Sequence, residues 1–450
     1  MTNVKLPKGW IGSSIDNTGQ YINGMAFKPT DWKETGTPII RIKNLTNPSA
    51  PINRTSRAVS DSVKVTKGTI LVSWSATLDA FIWDREDAVL NQHIFKVVPD
   101  ESVVTKPFLF YLLRSEIAAM REGEHLHGST MKHINRGPFL AHEIALAPLA
   151  EQKRIADKLE AVLGRVDACR ARLARVPALL KRFRQSVLAA ATSGRLTEEW
   201  RMTNGVNDEW QNTELGSLIS DGPKNGLYKS STCYGQGTRI LRIDNFYAGF
   251  VSSWEGLKRL TVSDAELNDF GLEVRDIVVN RVNSMSHLGK SALVRDLPEP
   301  CVFESNMMRL RLDLEQLMPE FCILVLTSPN GIEQLQQNAK QAVNQASINQ
   351  TDVKSVIVSL PTLPEQAEIV RRVEDLFAFA DRIEARLATA QKTVERLTPA
   401  TLAKAFRGEL VPQDPSDEPA SALLEGLKSV QALAPQRNTR KLATRRVSQT

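Results

Sequence analysis

No window of eighteen consecutive apolar residues occurs in the 450 residues, and a membrane-spanning helix needs about twenty. The opening MTNVKLPKGW holds no apolar run of signal length, so export is not expected and the cytoplasm is the default. Cysteine is scarce. Cys169, Cys233, Cys301 and Cys322 lie far apart with no CxxC pair, which excludes a zinc ribbon and a disulfide framework. The four read as buried thiols.

Signatures of catalysis are missing as well. No Gly-rich turn follows a strand-like run, and the nearest approach to an amino-methylating motif, Asn47-Pro48-Ser49-Ala50, lacks the second proline and the aromatic that would stack on a flipped base. Residues 284–291 read SMSHLGKS, with Ser284 where a phosphate-binding loop requires glycine. His125 and His127 stand beside Glu122 and Glu124, without the spacing of a tetrahedral metal site, and read as scattered loop residues. These blanks favour a binding protein over an enzyme.

What is present is ordinary globular composition, 42% hydrophobic and 24% charged, over a length that suggests about three units. The net charge of +6 is uneven: +3 over residues 1–150, +5 over 151–200, −4 over 201–364, −3 over 365–420 and +5 over 421–450. A basic centre and a basic end suggest contact with a polyanion.

The chain also repeats itself. PLAEQKRIADKLEAVLGRVDACRARLA from Pro148 returns as TLPEQAEIVRRVEDLFAFADRIEARLA ending at Ala388, at a constant offset of 214 residues. Glu151-Gln152 maps onto Glu365-Gln366, and Gly194 onto Gly408. Ile134 and Asn135 match Ile348 and Asn349 at the same offset, and GTPIIRIKNL from Gly36 echoes GTRILRIDNF from Gly237 at an offset of 201. A mixed domain of about 150 residues followed by a helical segment of about 50 has been duplicated.

Steps of four and three place Ile155, Leu159, Val162, Val166, Cys169, Leu173, Val176, Leu180, Phe183 and Val187 on one seam, and Ile369, Val373, Leu376, Ala380, Ile383 and Leu387 on another in the same register. The second continues through Leu397. Pro177 and Pro399 are expected to kink or restart these helices, giving a first helix over about 151–175 and a shorter one over about 177–192. Runs such as TPIIRIKNL, KGTILVSW, IFKVVP, TRILRIDNF, DIVVNRV and MMRLRLDL read as strands. KPFLFYLLRSEIAAM and PEFCILVLTSPNGIEQL read as helices, with polar loops between.

The resulting fold class is α+β. Two mixed α/β domains are joined by two long helices that form an antiparallel coiled coil, an internal duplication with pseudo-two-fold symmetry. The divisions are 1–148 (first domain), 149–196 (first helical region), 205–362 (second domain), 363–412 (second helical region) and 413–450 (flexible tail). A helix of about 25 residues is roughly 38 Å long, close to one turn of B-DNA at about 34 Å. Two readers held so far apart would address two half-sites with an unread spacer.

This organisation resembles the specificity subunit of type I restriction-modification systems. The markers are Leu6, Pro7, Gly9 and Trp10 at the opening, Leu149 to Gln152 and Leu363 to Gln366 at the helix starts, and Gly194 to Leu196 and Gly408 to Leu410 at the closes. Copy one has Ala150 where copy two has Pro364. The resemblance implies a non-catalytic subunit that recognises a bipartite, asymmetric site in double-stranded DNA. It further implies docking to two modification (methyltransferase) subunits and to motor-nuclease restriction subunits, with no membrane role. S-adenosylmethionine, ATP and Mg would belong to those partners; this chain is expected to hold no cofactor or metal.

By position and chemistry, the candidate base and phosphate contacts in the first domain are Arg41, Lys43, Asn44, Arg54, Arg57, Gln92, Ser129, Thr130, Lys132 and His133. Lys181, Arg182 and Arg184 on the helix are candidates for spacer phosphates. In the second domain they are Lys224, Tyr228, Lys229, Arg242, Asn245, Arg281, Asn283, His287, Lys290, Asn344, Gln345 and Ser347. Arg41 and Arg242 lie in repeated strands, so a framework role shared by both copies is equally open. Two rival functions also stay open at this level: a stand-alone DNA-modifying enzyme with an unrecognised site, and a coiled-coil adaptor without a DNA role.

Overall fold

The computed structural model describes residues 6–122, 134–206, 209–247, 249–251, 253–342 and 345–423. It divides into two compact units, Met1–Arg172 with Ala390–Thr450, and Leu173–Thr389. Among the described residues no helix is long and apolar enough to cross a membrane.

In the first unit the β-branched runs form strands in two four-stranded sheets. One sheet has the order Gly19–Asn23, Ile94–Pro99, Ile70–Ser73, Asp79–Ile82, and a second the order Arg54–Thr55, Thr37–Ile40, Ala88–Leu90, Lys64–Val65. The helix Lys106–Glu122 buries Phe108, Leu109, Leu112, Leu113, Ile117 and Met120 in the core of the first sheet. That is the one-sided apolar spacing of an amphipathic helix.

The second unit is built on the same frame. Ile39 and Ile40 pair in parallel with Val89 and Leu90; Ile240 and Leu241 do so with Val302 and Phe303. Ile70 faces Val97 across an antiparallel ladder, as Ile277 faces Leu310. The helices Pro319–Thr327 and Pro329–Gln336 occupy the stretch read as one helix, divided where Ser328 caps the second through the Gly331 N–H at 3.0 Å.

The Glu-Gln markers turn out to be clamps. In the first unit the Gln152 amide accepts the Thr105 N–H (2.8 Å) and donates to the carbonyls of Val103 (3.0 Å) and Ala147 (2.9 Å). In the second, Gln366 accepts the Met318 N–H (2.8 Å) and donates to Gln316 and Pro361 (both 2.9 Å). Both side chains are fully buried. The preceding glutamates accept indole N–H groups, Trp10 on Glu151 and Trp210 on Glu365, each at 3.0 Å.

The two glutamates differ in what else they meet. Glu365 also accepts from Thr197 (2.7 Å) and Arg201 (2.5 Å). Glu151 Oε1 is buried with no partner, and burial raises its carboxyl above the usual range. Arg154, three residues on, instead reaches Asp417 in two bonds of 3.2 and 2.6 Å.

The helices run over Leu149–Leu173 and Val176–Thr192, with Pro177 in the first turn of the second, where a missing N–H is tolerated. The helix does not restart at Pro399: Leu363–Phe406 is one helix containing that proline. Pro399 is exposed, so the carbonyl deprived of its donor stays in contact with water. Gly194 and Gly408 have φ of 77° and 72°, the left-handed stop that glycine adopts without strain.

Of the seam, Ile155, Leu159, Val166, Ile369, Val373 and Leu387 are buried, while Leu173 and Ile383 are half-buried. Cys169 and Leu397 are exposed and do not belong to it. Cys169 thus interrupts the first seam, which continues on the next helix with Leu180 and Val187 buried. Cys301 and Cys322 are buried as expected, with burial pushing the Cys301 thiol up to about 12; Cys233 is partly exposed.

In the second unit the helix pair is antiparallel. Arg184 bridges Asp381 (2.6 Å) and Glu384 (2.9 Å), while the Leu196 carbonyl, further along, meets Arg372 (2.9 Å), nearer the start of its helix. In the first unit Leu402 and Ala405 join Ile155, Leu159 and Leu163 in one core. The assigned tail begins at 413, yet 413–423 pack on this unit: Ala420 is buried and donates its N–H to Gly9 O at 2.9 Å.

Truncating a clamp strands several buried groups at once. Gln366→Ala is expected to lower stability by about 2–4 kcal/mol, read as a fall in the urea midpoint. The exposed Gln185→Ala should stay within about 0.5 kcal/mol of the unaltered chain.

Candidate functional site

The strand ends of each frame converge on one rim of loops. In the first unit the rim follows Ile40, Ser73 and Leu90; in the second it follows Leu241, Asn280 and Phe303. The chain passes closely there. A Cβ on Gly24 would stand 2.0 Å from Asn91 O, and one on Gly226 would stand 2.2 Å from Glu304 O, so only glycine fits at either place.

The Arg-x-x-Asn segment shared by the copies builds part of this rim. Asn44 accepts the Arg41 N–H (3.1 Å), and Asn245 the Arg242 N–H (2.9 Å). Asn44 is 1% exposed, and its amide donates to the carbonyls of Ala50 (3.3 Å) and Pro51 (3.2 Å). It is a framework residue rather than a reading one. Arg41 lies over the Trp32 ring at 5.2 Å, and Arg242 pairs with Glu304 at 3.2 Å. Lys43 and Gln92 stand exposed beside them.

Arg54 is not on the rim. It donates to Gly36 O (3.0 Å) and Glu86 (2.7 Å), near the opposite strand ends. Arg259 repeats this arrangement with Gly237 O (2.8 Å) and Glu299 (2.5 Å), which makes it a brace common to both copies. Arg57 is held by Ala26 O (3.3 Å) and Asp31 (3.5 Å) over the Phe27 ring.

In the second unit Lys224 pairs with Asp269, and Lys229 with Glu266 at 2.6 Å, on the flank formed by the short helix Asp264–Phe270. Lys290 lies over Phe246 at 4.8 Å, and burial lowers its ammonium below the ordinary lysine range. Arg184 is engaged with Asp381 and Glu384, whereas Lys181 and Arg182 are exposed.

The groups left at the second rim are Tyr228, Arg281, Asn283, His287, Gln345 and Ser347. Tyr228 is 81% exposed. Val282–Asn283 pairs with Gln345–Ser347, which pairs with Lys340–Ala342, forming a small ribbon. The turn before Gly289 is held by Gln336, which donates to Met285 O (3.1 Å) and Leu288 O (2.8 Å). His287 Nδ1 is within 3.1 Å of Ser284 Oγ and 2.9 Å of Ser286 Oγ. SMSHLGKS leads from a strand into the strand Ser291–Leu293, not into the helix a phosphate-binding loop needs.

Ser129, Thr130, Lys132, His133 and Asn344, with the His125/His127 cluster, lie outside the described residues. Among the described residues no group of His, Cys, Asp and Glu is arranged to hold a metal ion. Sequence reasoning missed Trp74, Asn91, His93 and Asn280, buried or half-buried rim residues whose polar atoms lack partners. The available signal was a polar or amphipathic residue closing each β-branched run.

Comparison with known proteins agrees with this architecture. The model of the type I restriction modification DNA specificity domain matches twice, at residues 7–177 and 207–391. The specificity subunit of the type I restriction enzyme EcoKI from Escherichia coli (strain K12) is 31% identical over 459 residues, covering 96% of this chain and 97% of its own. Among solved structures, the specificity subunit from Thermoanaerobacter tengcongensis superimposes with a TM-score of 0.56 at 18% identity, over 91% of this chain and 99% of the other. A chain from a study of type I assembly and conformational transition reaches 0.67 at 17% identity, over 90% and 99%.

The two classes of rim residue separate in stability. Asn44→Ala strands a backbone N–H and two carbonyls, so a loss of about 2 kcal/mol is expected. Its exposed neighbour Lys43→Ala should cost under about 0.5 kcal/mol, with chemical denaturation of the two variants as the check.

Proposed function

The chain belongs to the type I restriction modification DNA specificity family, and on that premise we propose that it selects the DNA sequence on which a multi-subunit restriction-modification enzyme acts. The observation that carries this reading is one frame used twice with two different rims. The pairing of Ile39–Ile40, the Asn44 cap and the Arg54 brace all recur in the second unit, at Ile240–Leu241, Asn245 and Arg259. The exposed loop residues do not recur. A protein that only joined partners would have no use for two divergent rims on one conserved support.

Each unit then reads one half-site, and because the rims differ the two half-sites differ in sequence. Exposed Lys43, Gln92, Tyr228 and Gln345 supply donors, acceptors and an aromatic face for base edges and backbone. Duplication presents the helical region twice, which suits docking of two modification subunits, with restriction subunits completing the enzyme. In this reading S-adenosylmethionine belongs to the modification subunits, ATP and Mg to the restriction subunits, and this chain contributes recognition.

Footprinting of the chain purified with its modification partner checks the proposal. Two protected blocks that depend on sequence, separated by a stretch that does not, are expected. A single continuous block indifferent to sequence would contradict it.

A further inference from the structure

Both rims contain one backbone seat fixed in the same way. At the end of Ile70–Ser73 the Trp74 N–H is donated to His93 O (3.2 Å), and Trp74 O accepts the Ile134 N–H (3.0 Å). At the end of Ile277–Asn280 the Arg281 N–H is donated to Asn306 O (2.9 Å), and Arg281 O accepts the Ile348 N–H (2.9 Å). Strand, turn and incoming segment therefore hold the same position in each unit. Only the side chain is exchanged, an indole in one and a guanidinium in the other.

Unpartnered polar atoms gather at this seat. Trp74 Nε1, His93 Nδ1 and Asn91 Oδ1 are buried without a hydrogen bond in the first unit, as are both amide atoms of Asn280 and the Arg281 Nε in the second. A buried polar atom lacking a partner carries a desolvation penalty that an incoming ligand group would relieve. Unpartnered buried atoms also occur elsewhere, Thr105 Oγ1 and Glu151 Oε1 at the first clamp among them; in the second unit the others among the described residues are Arg309 Nε and Glu320 Oε2.

We propose that this seat is the base-discriminating position of each unit, and that Arg281 reads a guanine in the half-site addressed by residues 205–362. The inference rests on the DNA-specificity reading and adds the residue and the base. One guanidinium nitrogen, Nη1, is tied to Ser305 O at 3.2 Å, which sets the plane of the group. Ser305 in turn donates its N–H to Leu227 O (3.0 Å), beside the exposed Tyr228.

The remaining N–H groups of Arg281 form a planar fork, the shape that matches O6 and N7 of guanine. Glu304, the nearby carboxylate of the rim, is already occupied by Arg242 and by the Ile243 N–H at 2.7 Å. Trp74 has a single donor and no fork, so the first unit makes no such demand. The difference between the two side chains accounts for asymmetry at a matched place in the two half-sites.

The test uses the complete chain assembled with its modification partner, presented with a pool of randomised duplexes. The half read by residues 205–362 is identified by exchanging that segment. A guanine is expected in that half, and Arg281→Ala should relax that one position by about ten- to hundred-fold while leaving the others unchanged. Arg281→Lys keeps charge and stem if alanine impairs assembly, and it should relax the same position. Arg281→Gln should move the preference toward adenine. Unchanged discrimination in these variants, an equal loss across all sequences, or a half-site without a guanine-cytosine pair would overturn the proposal. Absence of any sequence preference in the unaltered assembly would instead remove the DNA-specificity reading, and this inference with it.

Discussion

The buried Glu-Gln clamp at the start of each long helix is the constraint on which the rest of this molecule depends. A glutamine amide with all its bonds made to backbone groups fixes the helix start against the recognition fold, and an indole N–H fixes the carboxylate beside it. Such groups are costly to bury unpaired and directional when paired. The helix is thereby given one direction of departure from its domain. A reading surface is useful only if its orientation on the support is fixed, and the clamp does this in both copies.

Around that fixed point the two units solve one problem by different means. The second ties Glu365 to Thr197 and Arg201 from the segment that follows its own helix. The first has Val411 in the corresponding stretch after Gly408, and Glu151 keeps an unpartnered oxygen. Arg154 and Asp417 supply the charge-assisted link in its place, holding residues 413–423 against the opening of the chain. Duplication preserved the support, and local substitutions then re-satisfied it.

Much of this was legible in the sequence because it depends on short-range pattern. The constant offset exposed the duplication, and the four-three spacing and the Gly stops located the starts and ends of the long helices to within a few residues. The pairing partners of buried polar side chains were not legible. Asn44 and Arg54 have the chemistry of base readers, and only the fold shows that they hold carbonyls across a turn and across strand ends. Pro399 lies inside a helix that runs on because its neighbours pack well enough to tolerate one missing bond. Cys169 fits the heptad count but faces solvent, since sequence spacing does not say which seam positions a neighbour covers. Trp74 and His93 escaped notice because a large ring at a strand end reads as core until its polar atom is found without a partner.

The account stands or falls on each unit reading its own stretch of DNA. The most direct measurement maps methylated adenines in a host carrying the modification partner and a chain whose residues 6–148 come from another member of the family. One part of the methylated motif is expected to change while the other part stays as it was. A motif altered throughout, or not altered at all, would contradict the account.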